Sequence, residues 1–168
     1  SLTYALPGAV IGLSLILLVT SFPQLINSNI FIGSFFLLIY AYSIRHMAVG
    51  ISPLKTSFEK HPSSYDDTGI NLGLTPFKLF KKIHLPINKS AIIIAFLLCF
   101  IDIMKELPIT LILRPFNFDT LAVQTYQYAI EEMIPKSAVY SLSIVMIGSI
   151  LLIFLKNIVN KYIDVSKG

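Results

Sequence analysis

The first 44 residues contain no acidic or basic side chain, and this absence constrains the fold more than any other feature. The run is interrupted near residues 21–29, where proline, glutamine and asparagine indicate a short loop. Two apolar segments remain, at about 4–22 and 30–49, and each is close to the ~20 residues that a helix needs to cross a bilayer. Similar segments follow at about 87–104 and 137–155. The pattern predicts an all-α integral membrane protein with about four transmembrane helices.

The overall composition agrees with a membrane protein. Charged residues make up 13% of the chain, against roughly 25% in soluble domains, and the mean hydropathy is +0.76. The net charge of +4 and the pI near 9.2 are accounted for by lysines in the predicted loops, so no nucleic-acid partner is expected.

The basic residues are distributed unevenly between the predicted loops. The segment between the second and third spans holds Arg45, Lys55, Lys60, Lys78, Lys81, Lys82 and Lys89, whereas the loop between the first two spans holds none. The positive-inside rule therefore places both chain ends and this central segment in the cytoplasm.

The domain is expected to be a single transmembrane unit over residues 1–168, and a partial one. The chain starts with Ser1 and its first span lacks the charged region of a signal peptide. A piece of a longer polypeptide, an expressed fragment and a truncated gene product all remain open. Cys99 is the single cysteine, so no disulfide can form within one chain, and we expect it to be a small apolar core residue.

The cytoplasmic segment at about 50–86 is predicted to form a helix-turn-helix. Residues 52–60 have the periodicity of an amphipathic helix at the membrane surface. Gly73 suits the left-handed end of a first short helix, Thr75 and Pro76 suit the start of a second, and Pro86 is expected to end it. From these residues alone, a structured loop and a docking helix for a cytoplasmic partner are equally good interpretations.

The spacing within this segment resembles a known signature. Asp67-Thr68-Gly69 is followed by three residues, Gly73, nine residues, and Ile83-x-Leu85-Pro86. This order is similar to the "EAA" coupling signature, E-A-A-x3-G-x9-I-x-L-P, of permease subunits in binding-protein-dependent ABC importers. Thr68 and Gly69 replace the two alanines, and glycine inside a helix costs about 1 kcal/mol relative to alanine. The resemblance implies that the ATPase-coupling residues are Asp67, Thr68, Gly69, Gly73, Ile83, Leu85 and Pro86.

A second stretch narrows the resemblance. Residues 102–108 read DIMKELP and residues 113–122 read LRPFNFDTLA, and both look like the matching segment of iron(III) importer permeases. The chain then resembles an incomplete bundle of a type I ABC importer permease in a bacterial inner (plasma) membrane. The implied partners are a dimer of cytoplasmic ABC ATPase subunits, an extracytoplasmic iron-binding protein, a second permease half or subunit, and the lipid bilayer.

The function implied by this resemblance is transport of iron(III), driven by ATP that is hydrolysed on the separate ATPase subunits. The chain itself is therefore not expected to be an enzyme, and it lacks a glycine-rich phosphate loop. The alternatives are an importer of the same class for another cargo, such as thiamine, a polyamine or an oxyanion, and a non-transporting membrane fragment.

Three charged residues near the end of the third span are candidates for the translocation path or its gate. Asp102 and Glu106 are four residues apart and would share one helix face, with Lys105 as a partner for Asp102. A carboxylate at this position is costly unless it is paired or hydrated. A structural ion pair that fixes the helix end is the alternative interpretation. The histidines have no metal-ligand spacing, so no metal site and no cofactor are expected.

Overall fold

The computed structural model describes residues 6–22, 32–60, 64–71 and 73–165, and these ranges are helical apart from short connections. The helices are α1 (Gly8–Ser21), α2 (Phe35–Glu59), α3 (Ser64–Asn71), α4 (Pro76–Ile87), α5 (Lys89–Met104), α6 (Pro108–Leu113), α7 (Leu121–Ile130) and α8 (Ile134–Val165). No strand occurs in the part of the chain that the structure describes. The prediction of an all-α membrane fold is confirmed.

Two of these helices, α2 and the Ile134–Asn160 part of α8, are long and apolar enough to cross a membrane. The pair α4 and α5 is a third candidate span, broken by a bend of 70°. Helix α1 is apolar but has 14 residues. Helices therefore lie within all four predicted spans, and the number that cross the bilayer stays a prediction. The start of the first span at residue 4, the loop at 23–29 and the start of the second span at residue 30 lie outside the described residues.

Helix α2 continues well beyond the predicted end of the second span. The prediction of a separate surface helix at 52–60 is wrong, because one α-helix runs from Phe35 to Glu59 with Pro53 inside it. The final turns pack beside the start of α5, where Ser57 is buried and Thr56 and Ala91 line the same small cavity. Pro53 leaves the Val49 carbonyl without its usual helical N–H donor, and proline is tolerated in helices of membrane bundles when neighbouring helices support the freed backbone.

The core of the described bundle lies between α1, α2 and α6. Its buried side chains are Ile11, Leu15, Val19, Leu37, Leu38, Ala41, Ile109 and Leu113. Helix α5 packs along α2, and α8 packs against α7 and α5. Helices α3 and α4 contact mainly each other and the start of α5, so they project from the bundle as a hairpin.

Helix α5 ends at Met104, and this end corrects the expected geometry of the charged residues. Asp102 and Glu106 do not share one helix face, because Lys105 caps the helix and Glu106 is not helical. Pro108 explains the end: it has no N–H for the Met104 carbonyl, and its ring would clash with that carbonyl. The break separates α5 from the short helix α6, which begins at Pro108.

Candidate functional site

The α3–α4 hairpin, residues 64–87, has a well-defined turn. Gly73 adopts a left-handed φ of +70°, as its position in the sequence predicts. The Leu74 N–H donates to the Gly69 carbonyl at 3.0 Å, and the Gly73 N–H donates to the Ile70 carbonyl at 2.9 Å. These two bonds form a Schellman motif, which satisfies carbonyls that the end of α3 would leave free.

Gly69 lies at the contact between the two arms of the hairpin. A Cβ atom at this position would overlap the Leu79 side chain and lie 3.4 Å from Ile83 Cδ1. The glycine is buried, and its lack of a side chain lets the two arms of the hairpin approach closely. The contact also relates two parts of the predicted signature, since Gly69 and Ile83 pack on each other across the turn.

Three of the remaining predicted coupling residues are on the exposed surface of the hairpin, and the side chain of the fourth is not among those that the structure describes. Asp67, Leu85 and Pro86 are exposed, and Thr68 belongs to α3 although its side chain lies outside what the structure describes. Phe77 is 73% exposed beside the exposed Lys78. The free face of the hairpin therefore combines large apolar groups with lysines, a composition suited to a partner surface.

Asn88 joins the hairpin to the third candidate span. The residue is 1% exposed, and its side-chain Nδ2 donates to the His84 carbonyl at 2.8 Å. The Asn88 N–H donates to the same carbonyl at 2.9 Å. These bonds hold Asn88 on the end of α4, and the Ile92 N–H of α5 donates to the Asn88 carbonyl at 3.0 Å, so hydrogen bonds continue through the 70° bend between α4 and α5.

A second cluster, the charged break, consists of Arg45, Asp102, Lys105 and Glu106. Arg45 Nε lies 3.2 Å from Glu106 Oε2, and the two side chains are 19% and 9% exposed. Arg45 Nη1 also donates to the Leu6 carbonyl. One guanidinium therefore connects α2, the break after α5 and the chain just before α1.

Asp102 and Lys105 form the other ion pair of the charged break. Their Oδ1 and Nζ atoms are 2.9 Å apart, which confirms the predicted partnership. Lys105 is 63% exposed whereas Asp102 is 19% exposed, so this pair is more open than the pair of Arg45 and Glu106. Two acids and two bases thus meet in paired form at one helix break.

Hydroxyl groups hold the backbone of the charged break. Thr110 Oγ1 donates to the Glu106 carbonyl at 2.8 Å, and Tyr42 and Thr110 share a short hydrogen bond between their hydroxyls. Thr110 is fully buried. Because Tyr42 belongs to α2 and Thr110 to α6, groups from both helices hold the break.

Sequence reasoning missed the role of Arg45. It counted Arg45 among the cytoplasmic cations, whereas the structure places the residue near the middle of α2 and pairs it with Glu106. The signal that could have found it is its isolation: Arg45 follows 44 residues without a charge and precedes nine more before Lys55. A lone cation within a spanning helix requires a buried partner.

Comparison with curated proteins finds relatives that are transport-system permease proteins. The chain is 29% identical over 155 residues, 92% of its length, to an Fe(3+)-transport system permease protein of Haemophilus influenzae. It is 34% identical over 91 residues to the maltose/maltodextrin transport system permease protein of Escherichia coli (strain K12), and 33% identical over 91 residues to that of Photorhabdus laumondii. The chain is therefore similar to the permease proteins of two transport systems.

The match covers part of each relative. The chain spans about 30% of the length of these curated proteins, and no family model and no solved structure matches it. The hairpin and the charged break thus lie in a segment that is similar to permease proteins, and the roles of their residues stay predictions. Within the described ranges, no group of three or more His, Cys, Asp or Glu side chains could hold a metal ion.

Proposed function

We propose that this chain is the coupling portion of a permease that moves iron(III), delivered by an extracytoplasmic binding protein, across the bacterial inner membrane. ATPase subunits would dock on the α3–α4 hairpin from the cytoplasm, and a second permease half would complete the pathway. The observation that carries the proposal is the match to an Fe(3+)-transport permease over 92% of the chain.

The hairpin supports the coupling part of the proposal. Its turn is held by backbone bonds at Gly73, its apolar and basic groups are exposed, and its joint to α5 is fixed by Asn88. A partner that moved the hairpin would therefore move α5 as well. Rigid movement of helices between two arrangements is the usual way in which a transporter alternates its access.

The charged break supports an ionic cargo. Charged side chains inside a membrane bundle are costly, and they often mark ion pathways. Broken helices commonly form such sites because their ends supply polar backbone groups. Asp102, Lys105 and Glu106 would line the pathway or gate it, and Asp102 is the carboxylate whose cation partner is mostly exposed.

A second cargo class has its own support. Maltose/maltodextrin permeases match 54% of the chain at 33–34% identity, so the same machine could serve a different solute. Both cargo proposals require the same coupling hairpin. They differ in what the charged break would contact.

Uptake of radiolabelled iron(III) tests the proposal directly. Cells would carry, as their only copy, the full-length permease in its native form or with Phe77→Asp or Phe77→Leu. Phe77 is exposed, so neither change should disturb the fold. We expect Phe77→Asp to abolish uptake at normal membrane levels, because a carboxylate would be buried without a partner in the ATPase contact. Phe77→Leu should retain most of the uptake.

Labelled maltose provides the control for cargo. If cells with the native permease take up labelled maltose but no iron(III), the iron assignment is overturned and the coupling assignment stays intact. Equal iron uptake by the native and Phe77→Asp proteins would contradict the docking role of the hairpin.

A further inference from the structure

Helix α4 is not α-helical throughout, because the five residues Phe80–His84 form a π-helical turn. The Phe80 N–H bonds to a carbonyl four residues back, whereas the Leu85 N–H bonds to the Phe80 carbonyl, five residues back. The Asn88 N–H again bonds four residues back, at 2.9 Å. The hydrogen-bond register of α4 therefore slips by one residue and then recovers. Such turns are rare in proteins and often occur at functional sites.

Pro86 explains the position of the π turn. Proline has no N–H, and in an α-helix its ring clashes with the carbonyl four residues back, which here belongs to Lys82. A π turn holds one more residue than an α turn between its bonded groups, so it is wider and leaves room for the ring. The sequence predicted that Pro86 ends this helix, whereas α4 continues through Pro86 to Ile87 before the bend.

The two ends of the π turn face different parts of the molecule. His84 packs on Phe58 near the end of α2, with ring centroids 5.8 Å apart, and the buried Asn88 follows at the joint with α5. Toward the start of α4, Phe77 and Lys78 are exposed on the free face of the hairpin. The π turn thus lies between the part of α4 that is attached to the bundle and the part that is available to a partner.

The one-residue slip determines the direction in which this free face points. Each residue of an α-helix adds about 100° of rotation, and the π turn takes up one residue without adding that rotation. If α4 were α-helical throughout, Phe77 and Lys78 would be turned by roughly 100° about its axis relative to Asn88. Helix α3 would turn with them, because Gly69 packs on Leu79 and α3 contacts mainly α4.

We infer that Pro86 is a positioning residue for coupling, which acts by maintaining the π turn. The π turn in turn sets the direction of Phe77 and Lys78 about the axis of α4 relative to α5. The inference rests on the proposed docking of ATPase subunits on the hairpin. It gives the proline of the coupling signature a role that requires no contact with the partner.

A compensating deletion in the full-length permease tests this role. Pro86→Ala removes the cause of the π turn, so α4 should become α-helical and the hairpin should rotate. Deletion of Lys82 in the Pro86→Ala protein also removes the extra residue, so an α-helical α4 should return Phe77 and Lys78 to their native direction. Pro86→Ala with Lys82→Ala is the matched control, because it loses the same lysine without a change in length.

Two spin labels measure the rotation in permease reconstituted in lipid nanodiscs. They are introduced by Lys55→Cys on α2 and Thr75→Cys at the start of α4, with all other cysteines, including Cys99, replaced by alanine. Both residues are exposed, and Thr75 makes no side-chain cap hydrogen bond, so neither label should disturb the fold.

The separation of the labels is expected to follow the length of α4. A rotation of roughly 100° moves a group about 5 Å from the helix axis by about 8 Å, so the separation should shift by several Å in Pro86→Ala and in the matched control. It should return to the native value in the deletion protein. An unchanged separation in Pro86→Ala, or a separation that stays shifted in the deletion protein, would overturn the inference.

Uptake of radiolabelled iron(III) tests whether this direction matters for coupling. At normal membrane levels, Pro86→Ala and the matched control should lose most of the uptake, and the deletion protein should regain most of it. Uptake that stays low in the deletion protein, although its label separation is native, would overturn the role of Pro86 in coupling. Separations that follow the expected order while uptake is equal in all proteins would support the rotation and overturn the proposed docking on the hairpin.

Discussion

The α3–α4 hairpin and the charged break are both interruptions of helix, but they are stabilised in opposite ways. The hairpin is held by backbone bonds between residues that are near in sequence, and it leaves its side chains exposed. The more buried ion pair of the charged break joins side chains that are far apart in sequence, since Arg45 and Glu106 are separated by 61 positions. The first leaves its side chains available for contact with another molecule, and the second depends on contacts within its own bundle.

This difference predicts how each region responds to substitution. In the hairpin, a changed side chain should alter a contact with a partner while the bundle stays folded. In the charged break, a changed side chain leaves a buried group without its counterpart, so stability should fall first. Three substitutions would test this contrast.

The largest effect is expected for Arg45→Met. It leaves the Glu106 carboxylate buried without its counterion, and breaking a buried ion pair in this way costs about 3–5 kcal/mol. Thermal unfolding of the purified full-length permease would measure the loss. The double variant Arg45→Met/Glu106→Met should recover most of the stability, because it removes both charges together. A double variant as unstable as the single one would show that the pair is not what holds the break.

An intermediate effect is expected for Gly73→Val in the hairpin. A β-branched residue at a φ of +70° is strained, and a left-handed residue costs about 1–2 kcal/mol. Asparagine tolerates this conformation, and no atom lies within 4 Å of a Cβ built at residue 73. Gly73→Asn should therefore retain the turn.

Hydrogen exchange of the Leu74 amide would report the turn at residue 73. If Gly73→Val speeds exchange only within the hairpin, the hairpin is stable independently of the bundle. A loss of stability across the whole bundle would contradict the proposed difference between the hairpin and the charged break. Gly73→Asp should keep the turn but reduce iron uptake through its charge at the docking face.

The smallest effect on stability is expected for Asp102→Asn. Its partner Lys105 is mostly exposed, and such pairs contribute up to about 1 kcal/mol. If Asp102 lines the pathway, iron uptake should nevertheless fall markedly at normal membrane levels, and Lys55→Gln in the exposed pair with Glu59 is the control. Unchanged uptake would favour the alternative interpretation, in which Asp102 only fixes the end of α5.

The features that the sequence predicted are those with local causes. Gly73 gave the turn because left-handed φ is cheap only for a few residue types, and Asp102 and Lys105 are close enough in sequence to meet on one helix. The features that it missed depend on tertiary contact. Gly69 looked like a loss of helix propensity because its packing partner, Leu79, lies across a turn.

Two further misses have the same origin. Pro53 and Pro108 look similar in the sequence, yet α2 continues through the first and α5 ends before the second. The neighbouring α5 supports the turns around Pro53, whereas the residues near Pro108 bond to α2 through Tyr42 and Arg45. Local backbone preference could not distinguish the two prolines, because tertiary contacts determine whether the helix continues or ends at each one.

The 70° joint at Asn88 constrains the kind of motion that α5 can undergo. Because the two arms meet at a steep angle, a push along α4 acts mainly across α5 and little along its axis. We therefore expect α5 to tilt about the joint and not to slide along its own axis. Tilting keeps the apolar surface of the helix at nearly the same depth and costs fractions of a kcal/mol per Å of mismatch. A movement of α5 along its axis would instead draw Lys89 into the hydrocarbon.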